Sequence, residues 1–124
     1  MTGKFGKWPE ASWASETIDW RKAGRITAGV DVGTTSTQVA IMCDGELYAY
    51  ANVRNGACFT AAANKALADA LGSTGLVLEN IGAIAATGFG RDHAAFAEKK
   101  LDEIQCHAKG GRYLFGPEVH NLKN

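Results

Sequence analysis

A buried-strand pattern that carries one carboxylate and ends in a turn of small residues constrains this chain more than any other feature. The apolar run Ile26–Val32 contains a single acidic residue, Asp31, and the residues Gly-Thr-Thr-Ser follow at 33–36. A second strand-like run comes directly after the turn, at about 37–43. This order predicts two paired strands joined by a tight turn, with the carboxylate close to the turn.

The composition of this turn is suited to binding phosphate. Gly33 has no Cβ, so the backbone there can come close to a phosphoryl oxygen. The hydroxyls of Thr34, Thr35 and Ser36 and the N–H groups of the turn are neutral hydrogen-bond donors. Asp31 could hold Mg2+ through water or orient an attacking water. The competing interpretation is an ordinary hairpin that uses Gly and Thr as turn residues, and the chain contains no GxxxxGK[ST] loop.

Composition and charge describe a globular chain with no preference for polyanions. The 124 residues are 46% hydrophobic and 21% charged, and the formal net charge is +0. A neutral balance favours neither nucleic acid nor an anionic membrane as a partner. We find no secretory signal and no run that approaches a membrane span, so we expect a cytoplasmic protein. The cysteines lack CxxC spacing and predict neither a disulfide framework nor a complete metal site; they are Cys43, Cys58 and Cys106.

The remaining pattern predicts alternating strands and helices. The expected strands are 26–32, 37–43, 46–53 and 81–87, and the expected helices are 60–71, 92–100 and about 107–114, with a short extended piece at 103–105. Asp44-Gly45 suits a two-residue hairpin turn, Thr60 is the expected N-cap of the first helix, and Gly72 is its expected C′ residue. Three antiparallel strands, a crossover helix and a further strand predict the first half of a ribonuclease-H-like α/β unit.

Residues 1–25 lack this regularity, and we interpret them as an N-terminal leader that precedes a domain at 26–124. The leader contains all three tryptophans, Trp8, Trp13 and Trp20. Because Trp is favoured at the centres of interfaces, the leader could contact a partner subunit. The interpretation we favour is a flap that packs on its own domain.

Two further segments carry residues with chemical potential. Ala-Thr-Gly-Phe-Gly-Arg at 86–91 predicts a tight turn with exposed N–H groups and a cation at Arg91. This turn either faces a nucleotide or a partner, or is a sharp turn with a surface arginine. Cys106-His107 could be a nucleophile and its base, but adjacent residues point in different directions on a helix. A structural cysteine and a histidine at a helix start are therefore favoured.

Together, three segments resemble one protein family. They are Gly-Val-Asp-Val-Gly-Thr-Thr-Ser-Thr-Gln at 29–38, Ala-Thr-Gly-Phe-Gly-Arg at 86–91, and Glu-Ile-Gln-Cys-His-Ala-Lys-Gly-Gly at 103–111. They resemble the ATPase subunits of benzoyl-CoA reductase and the related activators of 2-hydroxyacyl-CoA dehydratases, over about residues 26–120. The resemblance implies an ATPase subdomain of the ribonuclease-H-like type found in actin, Hsp70 and sugar kinases. The leader and residues 44–50 lean toward the benzoyl-CoA reductase branch.

The resemblance implies a specific activity, which is ATP-driven electron transfer. In the family, two homologous ATPase subunits share one 4Fe-4S cluster, and ATP hydrolysis drives a low-potential electron to catalytic subunits that reduce benzoyl-CoA. By this analogy Asp31 would bind Mg2+ through water and take part in hydrolysis. Family members often have Lys at the position of Gln38, so one favourable charge is missing here. The residues assigned by analogy to the ATP phosphates are Gly33, Thr34, Thr35, Ser36 and Gln38.

The chain also departs from the family pattern. The sequence ends before a second phosphate motif of the Asp-x-Gly-Gly-Gln-Asp kind and before the two cluster cysteines, and its own three cysteines match no cluster position. We therefore expect an N-terminal ATPase subdomain that is inactive alone. The alternatives are an activator of a 2-hydroxyacyl-CoA dehydratase, with the same mechanism and a different acceptor, and a non-catalytic association domain of ribonuclease-H-like fold.

Overall fold

Strand pairing organises the part of the chain that the computed structural model describes, residues 10–72 and 74–100. The strands are β1 Ala11–Ala14, β2 Ile26–Val32, β3 Ser36–Cys43, β4 Glu46–Arg54, β5 Ala83–Thr87 and β6 Lys99–Lys100, and the α-helix is α1 Phe59–Leu71. Short 3-10 turns lie at Trp20–Lys22, Leu78–Asn80 and Arg91–His93. The strands form one sheet in the order β1-β4-β3-β2-β5-β6.

The topology brings several strand ends to the same edge of the sheet. Strands β2, β3 and β4 form an antiparallel meander, and β5 returns through α1 to pair parallel to β2. The carboxyl ends of β2, β4 and β5 therefore lie at one edge, and α1 begins there because it follows β4. The predicted meander, crossover helix and further strand are all confirmed.

The core lies between α1 and one face of the sheet. Alternate residues of β2 and β3 point toward α1 and are buried, as the period of a strand requires; they include Val30, Val32, Val39 and Ile41. The helix covers them with a stripe of mostly small side chains, which are Ala62, Ala63, Ala66 and Ala70 together with the larger Leu67. Small helix residues let the helix pack close to the branched side chains of the strands. Leu71, the last residue of α1, is only half-buried.

The predicted N-cap of α1 is wrong, whereas the predicted end of the helix at Leu71 is correct. The N-cap is Cys58 and not Thr60, because Cys58 has the extended backbone of a cap (φ −139°) and its Sγ accepts a hydrogen bond of 3.4 Å from the Ala61 N–H. Thr60 instead lies within the first turn and contacts His93. Gly72 directly follows the helix, but it is the C-cap, with a right-handed backbone (φ −39°), and not the C′ residue.

The helix predicted at 92–100 is also wrong. The chain makes one 3-10 turn at Arg91–His93 and then runs extended into β6, where the Glu98 N–H donates to the Ile84 carbonyl at 3.0 Å. Pairing with the open edge of β5 and burial of Ala94 and Ala97 override the local helix preference. The expected strand at 81–87 begins two residues later, at Ala83. The predictions for 103–105, 107–114 and Cys106-His107 lie outside the described residues.

The described part of the leader contacts the same domain. Strand β1 pairs antiparallel with β4 and adds an edge to the sheet. The Trp20 indole N–H donates to the Thr74 carbonyl at 2.7 Å, and the Arg21 guanidinium lies 4.7 Å from the Trp20 ring centroid. Trp13 on β1 remains 47% exposed. These contacts are those of a flap on its own domain.

Within residues 10–72 and 74–100 no helix is long and apolar enough to cross a membrane.

Candidate functional site

A row of polar side chains crosses the sheet on the face opposite α1, near the edge where β2, β4 and β5 end. Asp31 on β2 pairs directly with Gln38 on β3 and with Thr87 on β5, and Gln38 pairs with Asn52 on β4. Directly paired residues project from the same face of a sheet. The helix-facing neighbours of Asp31, Val30 and Val32, are buried, while Asp31 itself is exposed. The carboxylate predicted from sequence therefore lies on an accessible surface.

The turn that follows Asp31 is a hairpin with a two-residue loop. The Gly33 N–H donates to the Ser36 carbonyl at 3.0 Å, and Thr34 and Thr35 are exposed at the tip. A Cβ at Gly33 would lie 3.0 Å from the Ser36 carbonyl oxygen, so a larger residue would crowd the loop. The hairpin thus presents the two threonine side chains outward and requires a small residue at its base.

The sequence reasoning missed Asn55, which holds this hairpin in place. Asn55 is 7% exposed, and its Nδ2 donates to the Gly33 carbonyl at 2.6 Å. Its N–H donates to the Thr35 carbonyl at 2.9 Å, and its Oδ1 accepts from the buried Thr37 hydroxyl at 2.7 Å. The Asn55-Gly56 pair is a recognisable turn signal. Nothing in the local sequence indicates that the amide reaches a loop 22 residues earlier.

Gln38 contacts the same hairpin through its side chain. Its Nε2 donates to Ser36 Oγ at 2.8 Å and to Asn52 Oδ1 at 2.6 Å. An amide nitrogen has two N–H groups, so both of its donors are directed at protein partners. The geometry links Gln38 to the orientation of the Ser36 hydroxyl.

The segment at 86–91 lies directly against Asp31. Gly88 follows β5 with a left-handed backbone (φ +96°), and a Cβ there would lie 2.6 Å from Asp31 Oδ1 and 2.5 Å from the Val32 carbonyl oxygen. The Gly90 N–H donates to the same carbonyl at 2.8 Å. Arg91 folds back so that its Nη1 donates to the Gly88 carbonyl at 2.9 Å. Two of the three sequence segments therefore meet at one edge.

An aromatic cluster joins this segment to the first turn of α1. The Phe59 ring lies 6.1 Å from Phe89 and 5.4 Å from His93, measured between centroids. The His93 Nδ1 is 3.2 Å from the Thr60 hydroxyl. Phe89 is 73% exposed, so one aromatic ring projects into solvent at the rim of the polar row.

The two cysteines in the described part of the chain lie at opposite edges of the sheet. Cys43 pairs with Ile26 at the start of β2, whereas Cys58 is exposed at the start of α1. Burial, followed by the nearby Asp44 charge, raises the pKa of the Cys43 thiol, which favours the neutral form. Over residues 10–72 and 74–100, no group of three or more His, Cys, Asp and Glu side chains is arranged to hold a metal.

The meander, the crossover helix and the Asp-containing hairpin define a ribonuclease-H-like ATPase subdomain. The crystal structure of the (R)-2-hydroxyglutaryl-CoA dehydratase component A of Acidaminococcus fermentans is similar, with a TM-score of 0.68 and 30% identity over 74% of this chain and 36% of that chain. The activator of the 2-hydroxyisocaproyl-CoA dehydratase from Clostridium difficile, solved with bound ADPNP, gives a TM-score of 0.63 at 30% identity and covers 71% and 33% of the two chains.

Residues 28–121 match the BadF/BadG/BcrA/BcrD ATPase family, and the chain belongs to this family. An activator of lactoyl-CoA dehydratase from Anaerotignum propionicum is 38% identical over 88 residues, which are 71% of this chain and 34% of that protein. A 2-hydroxyisocaproyl-CoA dehydratase activator from Clostridioides difficile is 30% identical over 96 residues, 77% of this chain and 36% of that protein.

The comparisons confirm the predicted family and fold and shift the expected acceptor. The chain spans about a third of the length of these curated relatives. These relatives are dehydratase activators. They therefore support the alternative interpretation, an activator of a 2-hydroxyacyl-CoA dehydratase, better than the favoured one, a benzoyl-CoA reductase subunit.

Proposed function

We propose that this chain is the N-terminal nucleotide-binding part of an ATP-dependent activator of a 2-hydroxyacyl-CoA dehydratase. The observation that carries the proposal is the hairpin at 33–36 beside an exposed Asp31, in a chain that belongs to an ATPase family. The names of three relatives, which are all dehydratase activators, support a 2-hydroxyacyl-CoA dehydratase as the acceptor. In this proposal residues 26–124 form the ATPase subdomain, residues 1–25 form its leader, and the partners are a homologous ATPase subunit and a catalytic dehydratase.

The geometry of the hairpin supports a role in binding the ATP phosphates. Thr34 and Thr35 are exposed at its tip, and their hydroxyls and N–H groups would donate to phosphoryl oxygens. Ser36 lies at the base, where the Gln38 amide orients its hydroxyl. Gln38 would therefore contribute through Ser36, since both of its N–H groups already have protein acceptors. Gly33 keeps the loop tight because its Cβ position is crowded by Ser36.

Asp31 has the placement expected of a group that binds Mg2+ through water and serves hydrolysis. Its carboxylate lies on the accessible face at the end of β2, and oxygen ligands of this kind suit Mg2+, which retains several waters. Hydrolysis forms a bond between a water oxygen and the γ-phosphorus and breaks the bond to the β–γ bridging oxygen. ADP leaves with that electron pair, and the proton of the water passes to Asp31 or to solvent.

The cysteines of the described residues do not fit a 4Fe-4S site. Two subunits that share one cluster need two thiolates each, but Cys43 and Cys58 lie at opposite edges of the sheet and Cys43 is buried with a raised pKa. We assign no electron-transfer step to these residues. Ligands for a cluster would come from outside the described part of the subunit.

Replacement of Asp31 tests the proposal. In the protein as expressed from its own gene, we expect Asp31→Asn to lower ATP hydrolysis by about 100-fold or more, because Asn keeps the size of Asp but loses the negative charge that binds Mg2+ and orients water. The thermal midpoint should be unchanged or higher. Glu79→Gln is the matched control, since it removes a carboxylate from an exposed turn at the opposite edge of the sheet. Wild-type hydrolysis in Asp31→Asn would refute the role of Asp31.

A second assay tests the acceptor. The protein as expressed from its own gene should activate 2-hydroxyacyl-CoA dehydratase subunits in the presence of ATP and a low-potential reductant, and should not support reduction of benzoyl-CoA by benzoyl-CoA reductase subunits. The reverse pattern would restore the benzoyl-CoA assignment. For residues 1–124 alone we expect weak ATP binding and negligible hydrolysis, because one phosphate hairpin cannot surround the transferred phosphoryl group.

A further inference from the structure

The hydroxyl of Thr87 is a buried polar group that has no hydrogen-bond partner among the described residues. Thr87 is 8% exposed, and its Oγ1 is fully shielded by the surrounding atoms. Buried hydroxyls in folded proteins are almost always hydrogen-bonded, because an unpaired one costs free energy. An unpaired buried hydroxyl of this kind is a candidate for a hydrogen bond to a bound water or ligand.

The position of Thr87 suggests what that water or ligand is. Thr87 is the last residue of β5 and pairs directly with Asp31 across the parallel strands, so both side chains project from the same face. The next residue, Gly88, lets the end of β5 come close to the carboxylate, since a Cβ there would lie 2.6 Å from Asp31 Oδ1. Thr87 Oγ1 does not bond to Asp31 itself. The two groups are therefore direct neighbours on one face of the sheet.

We propose that Thr87 positions, together with Asp31, the water that attacks ATP; this inference rests on the proposed function. A carboxylate only accepts hydrogen bonds, whereas a hydroxyl both donates and accepts. A water between them would donate one hydrogen to Asp31 and accept the hydrogen of Thr87. Its remaining lone pair would then be free to bond to the γ-phosphorus, while the β–γ bridging bond breaks and the proton passes to Asp31 or to solvent. Thr87 thus fixes the orientation of the water and gains and loses no proton.

Two substitutions separate this role from packing. Thr87→Val keeps the shape of the side chain and removes the hydroxyl, whereas Thr87→Ser keeps the hydroxyl and removes the methyl group. The protein as expressed from its own gene is assayed for kcat and KM of ATP hydrolysis, for the Kd of Mg·ADPNP and for the thermal midpoint. We expect Thr87→Val to lower kcat about tenfold, the effect of one lost hydrogen bond in the transition state. KM and Kd should stay within about twofold, and Thr87→Ser should retain at least about half of kcat.

The thermal midpoint distinguishes a positioning role from a structural one. Since Val removes an unpaired buried hydroxyl, Thr87→Val should unfold at the wild-type temperature or above it. The inference is overturned by a wild-type kcat in Thr87→Val, by equal loss in Thr87→Val and Thr87→Ser, or by a lower midpoint in Thr87→Val.

Parallel assays of the wild type and Asp31→Asn separate the two claims. Absence of Mg·ADPNP binding by the wild type, or full hydrolysis by Asp31→Asn, would overturn the proposed function and this inference with it. Binding and dependence on Asp31, with unchanged kcat in Thr87→Val, would overturn the inference alone.

Discussion

The two hairpins of the β2–β3–β4 meander both have two-residue loops, but their polar groups make different contacts. The Asp44-Gly45 turn has positive φ at both residues, and the Asp44 carboxylate accepts N–H groups from Gly24 and Arg25 at 3.0 Å each. Its polar atoms are engaged in holding the chain that enters β2. The hairpin at 33–36 has no positive φ, exposes its threonines and is held from outside by Asn55.

This difference separates a hairpin that anchors the fold from one that leaves its polar side chains exposed. A hairpin that stabilises a fold directs its carboxylate at its own backbone, as Asp44 does. The hairpin beside Asp31 directs hydroxyls outward and depends on residues from other elements to keep its shape. Substitutions at the Asp44-Gly45 turn should therefore affect stability, and substitutions around the hairpin at 33–36 should affect stability and nucleotide binding together.

The largest effect on stability is expected for Gly88→Ala. The new Cβ would lie 2.5 Å from the Val32 carbonyl oxygen, at a residue whose φ is +96°. Steric overlap and backbone strain together should lower the free energy of unfolding by about 3 kcal/mol or more. Mg·ADPNP affinity should fall as well, because Asp31 Oδ1 lies 2.6 Å from the same Cβ position. The matched control is Gly29→Ala on β2, where nothing lies within 4 Å; it should be neutral or stabilise by about 0.5 kcal/mol. Equal losses in both variants, measured by chemical denaturation, would contradict the account.

Asn55→Ala should be intermediate. It leaves the Gly33 carbonyl without its side-chain donor and the buried Thr37 hydroxyl without its acceptor, which should lower the free energy of unfolding by about 2 kcal/mol. Affinity for Mg·ADPNP should also fall, because the loop loses its anchor. The double variant with Thr37→Val should lose less than the sum of the two single variants. A strictly additive result would show that the two side chains act independently.

Asp44→Ala should have the smallest effect and should change stability only. The substitution removes the acceptor for two backbone N–H groups and places Ala at a positive φ. These two effects should lower the free energy of unfolding by about 1–2 kcal/mol. Nucleotide binding at a temperature where the protein is folded should equal that of the wild type. Weaker nucleotide binding would break the distinction between the two hairpins.

Sequence periodicity predicted the meander well because strands and two-residue turns are local features. The bounds of Ile26–Val32 and the Asp44-Gly45 turn were both correct. The errors arose where distant contacts decide the structure. The region 92–100 pairs with the edge of β5 instead of forming a helix, and no periodicity in the segment itself indicates that edge.

The candidate site shows the same division. Asp31 and the hairpin residues were recognisable as a motif, and their assignment to phosphate and Mg2+ remains a prediction. The contribution of Asn55 was not recognisable, because its amide acts on a loop far away in sequence. Gly88 belonged to a recognised segment, yet only the pairing of β5 with β2 shows that it lies against Asp31.

Hydrogen exchange with and without Mg·ADPNP would locate the nucleotide on one of the two hairpins. The nucleotide should slow amide exchange at 33–36 and 87–90 and leave exchange at 43–46 unchanged, because the hairpin at 33–36, and not the Asp44-Gly45 turn, would donate hydrogen bonds to phosphate. Asp31→Asn should abolish most of this protection. Equal protection of both hairpins, or protection of 43–46 alone, would contradict the assignment of the nucleotide to the edge that carries Asp31.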